Sequence, residues 1–288
     1  MKRLNTILIY VFVILAMLWI LFPFYWLTCI SFMNLGELAM KPPKFIPSLN
    51  LINYIQVIFG GAIGSTTSFK VSGTGVTEIR SILPTMLNSV LIGLSVAGLT
   101  VALACPAGFA YARFEFRLKR ASFYSMFAVR ILPTILLVIP LFTIFRSLKM
   151  INTHLGLTLA HLILTLPFAT WIFMDYINAL PKELEEAALI DGATYFQAFW
   201  KIVLRASLPG VLSVALFAFL TSWGEFLFAL TLTNQLTIPP VLLSYISSQN
   251  AEYTQFAAAA VLSIIPPVVL ATVFQKYLIR GLTGALKA

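Results

Sequence analysis

Apolar runs of about 20 residues recur along the chain, separated by short polar intervals. Runs of that length suit helices that cross a hydrocarbon layer of about 30 Å. A β-barrel would show shorter, alternating segments instead. The pattern predicts six spans, at about 7–29, 83–112, 121–145, 157–177, 208–232 and 256–278. Residues 1–33 then form an N-terminal transmembrane helix, 34–82 an extracytoplasmic loop, and 83–288 a five-helix core. The loop contains PPKFIPSLNLINY and then GGAIGSTTSFKVSGTGVTE. No G-K-S/T comes after those glycines, so the stretch reads as a flexible exterior loop rather than a phosphate cradle. Residues 233–255, with Pro239 and Pro240, are expected to be a second loop.

Prolines fall in nearly every span, among them Pro23, Pro106, Pro133, Pro140, Pro167, Pro266 and Pro267. Each removes a backbone hydrogen bond. In lipid the freed carbonyl needs another partner, usually a neighbouring helix. The prolines suit kinked, packed helices around a moving channel; membrane helices also simply tolerate them.

Residues 181–210 form the longest polar interval late in the chain, PKELEEAALIDGATYFQAFWKIVLRASLPG. Pro181 suits the start of a helix. Glu183, Glu185 and Glu186 then lie at the positive end of its dipole, and Gly192 closes it. Thr194 and Gln197 form a capping box that opens a second helix. Phe196, Phe199, Ile202 and Val203 recur at spacings of three and four, which predicts one apolar face.

Composition narrows the class. The 288 residues are 60% hydrophobic and 10% charged, so this is an all-α membrane protein with no separate soluble domain. The net charge of +9 comes from basic residues in short loops beside spans, which is an orientation signal and not a nucleic-acid footprint. With six spans, twelve of the nineteen basic residues fall on the side of the termini, six on the other, and Arg130 lies within a span. That bias puts both termini and the 181–210 elbow in the cytoplasm of a plasma-membrane protein. Lys2 and Arg3 precede an apolar run with no small-residue cleavage site, which reads as a retained signal anchor. Cys29 and Cys105, both in apolar runs, read as buried thiols.

Charges inside spans are candidates for function. Arg130 lies roughly 13 Å into the third span and Glu225 roughly 25 Å into the fifth, at about 1.5 Å per residue. Their depths differ, so they are not expected to pair. Arg130 either bonds carbonyls freed near Pro133 or snorkels. Glu225 is either near an outer mouth, against a solute or its receptor, or a helix-end carboxylate in the headgroup region. Trp223 and Phe226 either stack on sugar rings or fill the membrane. Asp175 reads as solvated or ion-paired, and His161 as packing. The sequence shows no P-loop, metal-ligand spacing or nucleophile motif, so no catalytic residue, cofactor or metal site is assigned.

The elbow resembles a known signature. Glu186-Ala187-Ala188, then Gly192, then Ile202 and Leu204 are similar to the EAA motif of ABC importer permeases. Arg205 stands where that pattern has proline, and Pro209, four residues on, is assigned the turn. LFPFYWLTCISF, PPKFIPS, LNSVL, FAYARFEFR, SWGEFLFALTLT and FQKYLIRGLTGALK extend the resemblance to the shorter, six-span subunit of the carbohydrate-uptake, maltose-type group. The resemblance implies a type I ABC importer permease fold with a cytoplasmic coupling helix. It implies a non-catalytic subunit of a sugar importer that forms half of the pore. Its partners would be a sister permease in a heterodimer, two cytoplasmic ATPase domains and an extracytoplasmic solute-binding protein. Glu186, Ala187, Ala188, Asp191, Gly192 and Ala193 would contact the ATPase. Trp223, Glu225 and Phe226 would line the substrate pathway. The alternatives are an ABC permease for another solute class and a stand-alone carrier, which would need an inverted repeat and buried ion ligands.

Overall fold

A computed structural model describes residues 2–42, 44–60, 67–71, 75–79, 81–234, 237–247 and 252–285. Among the described residues the elements are helices and one pair of strands. The elements are α1 Lys2–Ser31, α2 Leu35–Leu38, α3 Ile52–Phe59, β1 Thr67–Val71, β2 Gly75–Ile79, α4 Ile82–Arg113, α5 Lys119–Ile131, α6 Thr134–Ser147, α7 His154–Asn178 and α8 Glu183–Ile190. Next come α9 Tyr195–Ala206, α10 Leu208–Trp223, α11 Leu227–Leu232, α12 Ile238–Ser247 and α13 Tyr253–Ala285. The paired strands β1 and β2 lie where a flexible loop was expected; their Thr, Val and Ile content suits a strand. Residues 61–66, 72–74 and 80 of that stretch lie outside the described ones.

Among the described residues four helices are long and apolar enough to cross a membrane. The number reaches six when two bent pairs each count as one span. The third predicted span is one of these pairs: α5 and α6 meet at 100° instead of forming one helix. Pro133 is the cause, because its ring excludes the helical conformation from the residue before it. Leu132 accordingly sits at φ −68°, ψ 131°. The fifth span also departs from expectation. It ends at Trp223, and residues 224–226 separate it from α11. Residues 233–255, expected as a loop, contain α12, whose Pro239 and Pro240 fall in its first turn, where missing N–H groups cost little.

The chain divides into two compact units. One comprises 1–70, 76–84 and 241–265. Here the NLINY segment serves α1. Asn53 Nδ2 donates to the carbonyls of Ser31 and Met33 at 2.9 Å, and Tyr54 shares a 2.7 Å bond with Ser31 Oγ. The two Asn53 bonds satisfy carbonyls left over at the end of α1. Glu37 is buried beside them. It pairs with Lys44 and accepts from Ser48 Oγ at 2.7 Å. Those donors hold its carboxyl at about 2, below the ordinary 4.5.

The other unit comprises 71–75, 85–240 and 266–288. Its centre is α7, buried from Gly156 to Ile177 along one broad face. α10 packs extensively along α7. Phe168 and Phe217 meet at 5.0 Å, and the Tyr176 ring lies on Gly210. A Cβ on Gly108 would stand 2.8 Å from Thr170 O, so α4 reaches the α7 backbone only because that residue is glycine.

Glu37 generates a pH prediction. Its folded pKa lies below its unfolded one, so its contribution is complete above about pH 4.5 and lost as pH falls toward about 2. Pepsin cleavage within 34–48, scaled to an unfolded reference peptide, should rise across that window. In Glu37→Gln it should be high and flat throughout. A flat profile in the unaltered protein would refute the assignment.

Candidate functional site

The 181–210 elbow is built as two helices joined by a tight corner. Glu183, Glu185 and Glu186 occupy the first turn of α8. The helix ends in a Schellman closure. Gly192 N–H donates to Leu189 O and Ala193 N–H to Ala188 O, both at 3.0 Å. Gly192 has φ +86°, and a Cβ there would meet nothing within 4 Å. The requirement for glycine is therefore the backbone angle alone. Thr194 and Gln197 then form the expected reciprocal box at 3.0 and 3.3 Å. α9 contains a π-helical turn over Phe199–Val203. An 80° bend at Ser207 leads into α10, with Pro209 in the first turn of that helix. Arg205 is exposed and Pro209 half-buried.

The corner presents a mixed surface. Glu186, Ala187, Asp191 and Gly192 are exposed, and Ala193 is half-buried. Ala188 is 4% exposed and packs inward, so of the two alanines only Ala187 faces out. Ile190 is 85% exposed and Phe196 72%, beside exposed Leu184 and Tyr195. The expected single apolar face of α9 is not formed. Phe199 and Val203 enter the core with Phe109, Phe173 and Val214, while Phe196 points outward. The π-turn accommodates an extra residue and rotates the facing of the next turn of helix.

One pair was missed from the sequence. Arg113, one residue past the second predicted span, forms an ion pair from Nε to Glu185 Oε1 at 2.6 Å; the two side chains are 7% and 8% exposed. Arg113 Nη2 also donates to Leu180 O at 2.9 Å. Burial raises the Glu185 carboxyl above its ordinary value, and the Arg113 charge offsets this only in part. The available signal was spacing. Glu185 lies three residues before Ala188, on the inward face, and a buried carboxylate needs a cation.

At the other end of α10 the three pathway candidates separate. Trp223 is buried and stacks on Phe219 at 5.6 Å; Phe226 is half-buried. Glu225 is buried, and its carboxylate is fully engaged. It accepts from Phe228 N–H at 2.9 Å and Ala229 N–H at 3.0 Å, the free amides at the start of α11. It also meets His161 Nε2 at 3.2 Å. A carboxylate only accepts, so with a neutral ring Nε2 carries the proton and Nδ1 accepts from Ser222 Oγ at 2.8 Å. Glu225 is thus a buried carboxylate at the start of α11, and His161 is its partner. The far end of α11 is fixed too: Asn152 N–H donates to Leu232 O at 2.8 Å and Asn152 Oδ1 accepts from Asn234 N–H at 2.9 Å. Arg130 is exposed and donates to Leu164 O at 2.6 Å, near Pro167 and not Pro133. Asp175 is exposed.

Known proteins share this architecture. Residues 98–284 match the family described as binding-protein-dependent transport system inner membrane component. The trehalose/maltose transport system permease protein of Thermococcus litoralis is 32% identical over 289 residues, covering 99% of this chain and 98% of that protein. The trehalose transport system permease protein of Mycobacterium tuberculosis is 34% identical over 255 residues, 86% of this chain and 93% of that one. A chain in the crystal structure of a bacterial ABC transporter involved in the import of the acidic polysaccharide alginate has the same fold, with a TM-score of 0.73 at 17% identity, over 96% of this chain and 97% of that one.

Removing the Glu225 carboxylate should leave two amides and His161 without their acceptor. Glu225→Ala is expected to cost about 2 kcal/mol, the penalty of leaving buried polar groups unpaired. Thermal unfolding in detergent would read this; a midpoint equal to that of the unaltered protein would contradict it.

Proposed function

This chain belongs to the binding-protein-dependent transport system inner membrane components, and from that membership we propose that it is the six-span permease subunit of an ATP-driven sugar importer. It is a non-catalytic membrane subunit. Its relatives in Thermococcus and Mycobacterium carry the names of trehalose and maltose systems, which supports a small sugar as the solute. The chain forms half of a pore with a sister permease. A solute-binding protein delivers sugar from outside, and two ATPase domains act from the cytoplasm, where both termini lie.

One observation carries the reading. The corner at Gly192 exposes Glu186, Ala187 and Asp191 beside Ile190 and Phe196, between two packed spans. Glu186 offers a carboxylate for a charge-assisted bond, and Ala187 lets a partner approach the backbone. The apolar side chains give the ATPase surface something to bury. Closure of the ATPases displaces α8, and the displacement passes through linker 179–182 into α7 and through α9 into α10. Since α7 and α10 pack along their lengths, they move as a body, which is alternating access in its simplest form. At the outer end α11 moves with them, because Glu225 and Asn152 fasten it to α7 and the residues just before it.

Gly192→Val tests the corner. A branched side chain at φ +86° strains the backbone by roughly 1–2 kcal/mol and opens the closure. In the reconstituted complex, uptake of radiolabelled trehalose or maltose should disappear while ATP hydrolysis persists without solute. Normal uptake would remove the coupling role from this loop.

A further inference from the structure

We infer that the buried Arg113–Glu185 pair is a clamp that carries movement of the coupling helix into α4, making both residues positioning elements of ATP-coupled transport. The inference rests on the import function proposed above. Covalent continuity takes the motion of α8 only into α7 and α9. Arg113 is the last residue of α4 and reaches across to two further elements. Its Nε meets Glu185 in the first turn of α8, and its Nη2 holds Leu180 O in the linker between α7 and α8. One guanidinium thus joins three elements at the membrane's inner end.

The packing around it agrees. Phe109 and Phe114, on either side of Arg113 in the sequence, pair with Phe199 at 5.0 Å and Tyr195 at 5.2 Å, both from α9. Gly108 lets α4 touch the α7 backbone one turn earlier. The inner end of α4 is therefore seated against every part of the elbow.

Energetics argue that the pair is not there for stability alone. Glu185 Oε2 is buried with no hydrogen-bond partner, and the Nε contact, though close, lacks hydrogen-bond geometry. A buried pair with unsatisfied atoms recovers its desolvation cost poorly, and an apolar pair of similar volume would serve stability as well or better. What a charged pair adds is register: it holds only when α4 and α8 keep one relative position. In a machine whose coupling helix is pushed and pulled, that property makes the push reach a third span.

The test uses the whole complex, with sister permease, ATPases and receptor, in liposomes with radiolabelled trehalose or maltose. Glu185→Gln keeps the shape and removes the charge. It should leave ATP hydrolysis in place and lower the solute moved per ATP by about tenfold, a usual size for coupling between linked sites. Exchanging the charges, Arg113→Glu with Glu185→Arg, should restore part of that ratio. An unchanged ratio in Glu185→Gln overturns the clamp. A second measurement is independent of that variant's folding. Spin labels placed on Glu115→Cys and Glu183→Cys, both exposed positions, should keep one distance in the nucleotide-free and ATP-bound complex. A distance that changes between those states overturns the clamp as well. If the unaltered complex moves neither sugar, the import reading fails, and the label distances still decide for or against the clamp.

Discussion

Inside a membrane, two apolar helices gain little by leaving lipid for each other, because lipid is as oily as they are. What holds them is closeness of fit. The larger unit obeys that constraint around α7. Glycine at 108 brings α4 onto its backbone, and glycine at 210 receives the Tyr176 ring. The functional geometry depends on these approaches. If α4 stood off by the width of a methyl group, Arg113 would not reach both Leu180 and Glu185. If α10 stood off, the 80° corner at Ser207 would open onto nothing.

The same medium sets the rule for polar groups. Each buried one needs a partner, and the partners are drawn from different helices. Thr100 and Thr165 bond at 2.9 Å between α4 and α7. Ser222, His161 and Glu225 form a chain between α10, α7 and the start of α11. These bonds act as fixed points along a seam that apolar packing alone would leave free to slide. Glu225 shows how position decides bonding: its carboxylate accepts from the free amides of a broken helix.

Much of this was legible in the residues. Six apolar runs, the corner glycine and the Thr194–Gln197 box were all readable, because each is a local rule of spacing or backbone angle. What was not legible depends on groups distant in sequence or on a choice between two outcomes of one rule. Pro133 was readable as a disturbance, but a kink and a 100° break differ only in how the neighbours pack. Arg113 and Glu185 lie 72 positions apart by their numbering, and nothing local joins them. His161 looked alone for the same reason. The π-helical turn over Phe199–Val203 shifts the phase of the residues after it, which the apolar period does not record.

The break between α5 and α6 has a consequence for the surroundings of the chain. Thirteen and fourteen residues make helices of about 20 Å each, well short of the roughly 30 Å of a bilayer's oily interior. Residues 131–133 at the vertex are exposed on this chain, and two helix ends meet there with carbonyls and amides that no intrahelical bond satisfies. Hydrocarbon cannot solvate them. Wherever this V crosses the membrane, its vertex must face either water or another polypeptide, so its depth marks a point where the lipid seal around the chain is interrupted.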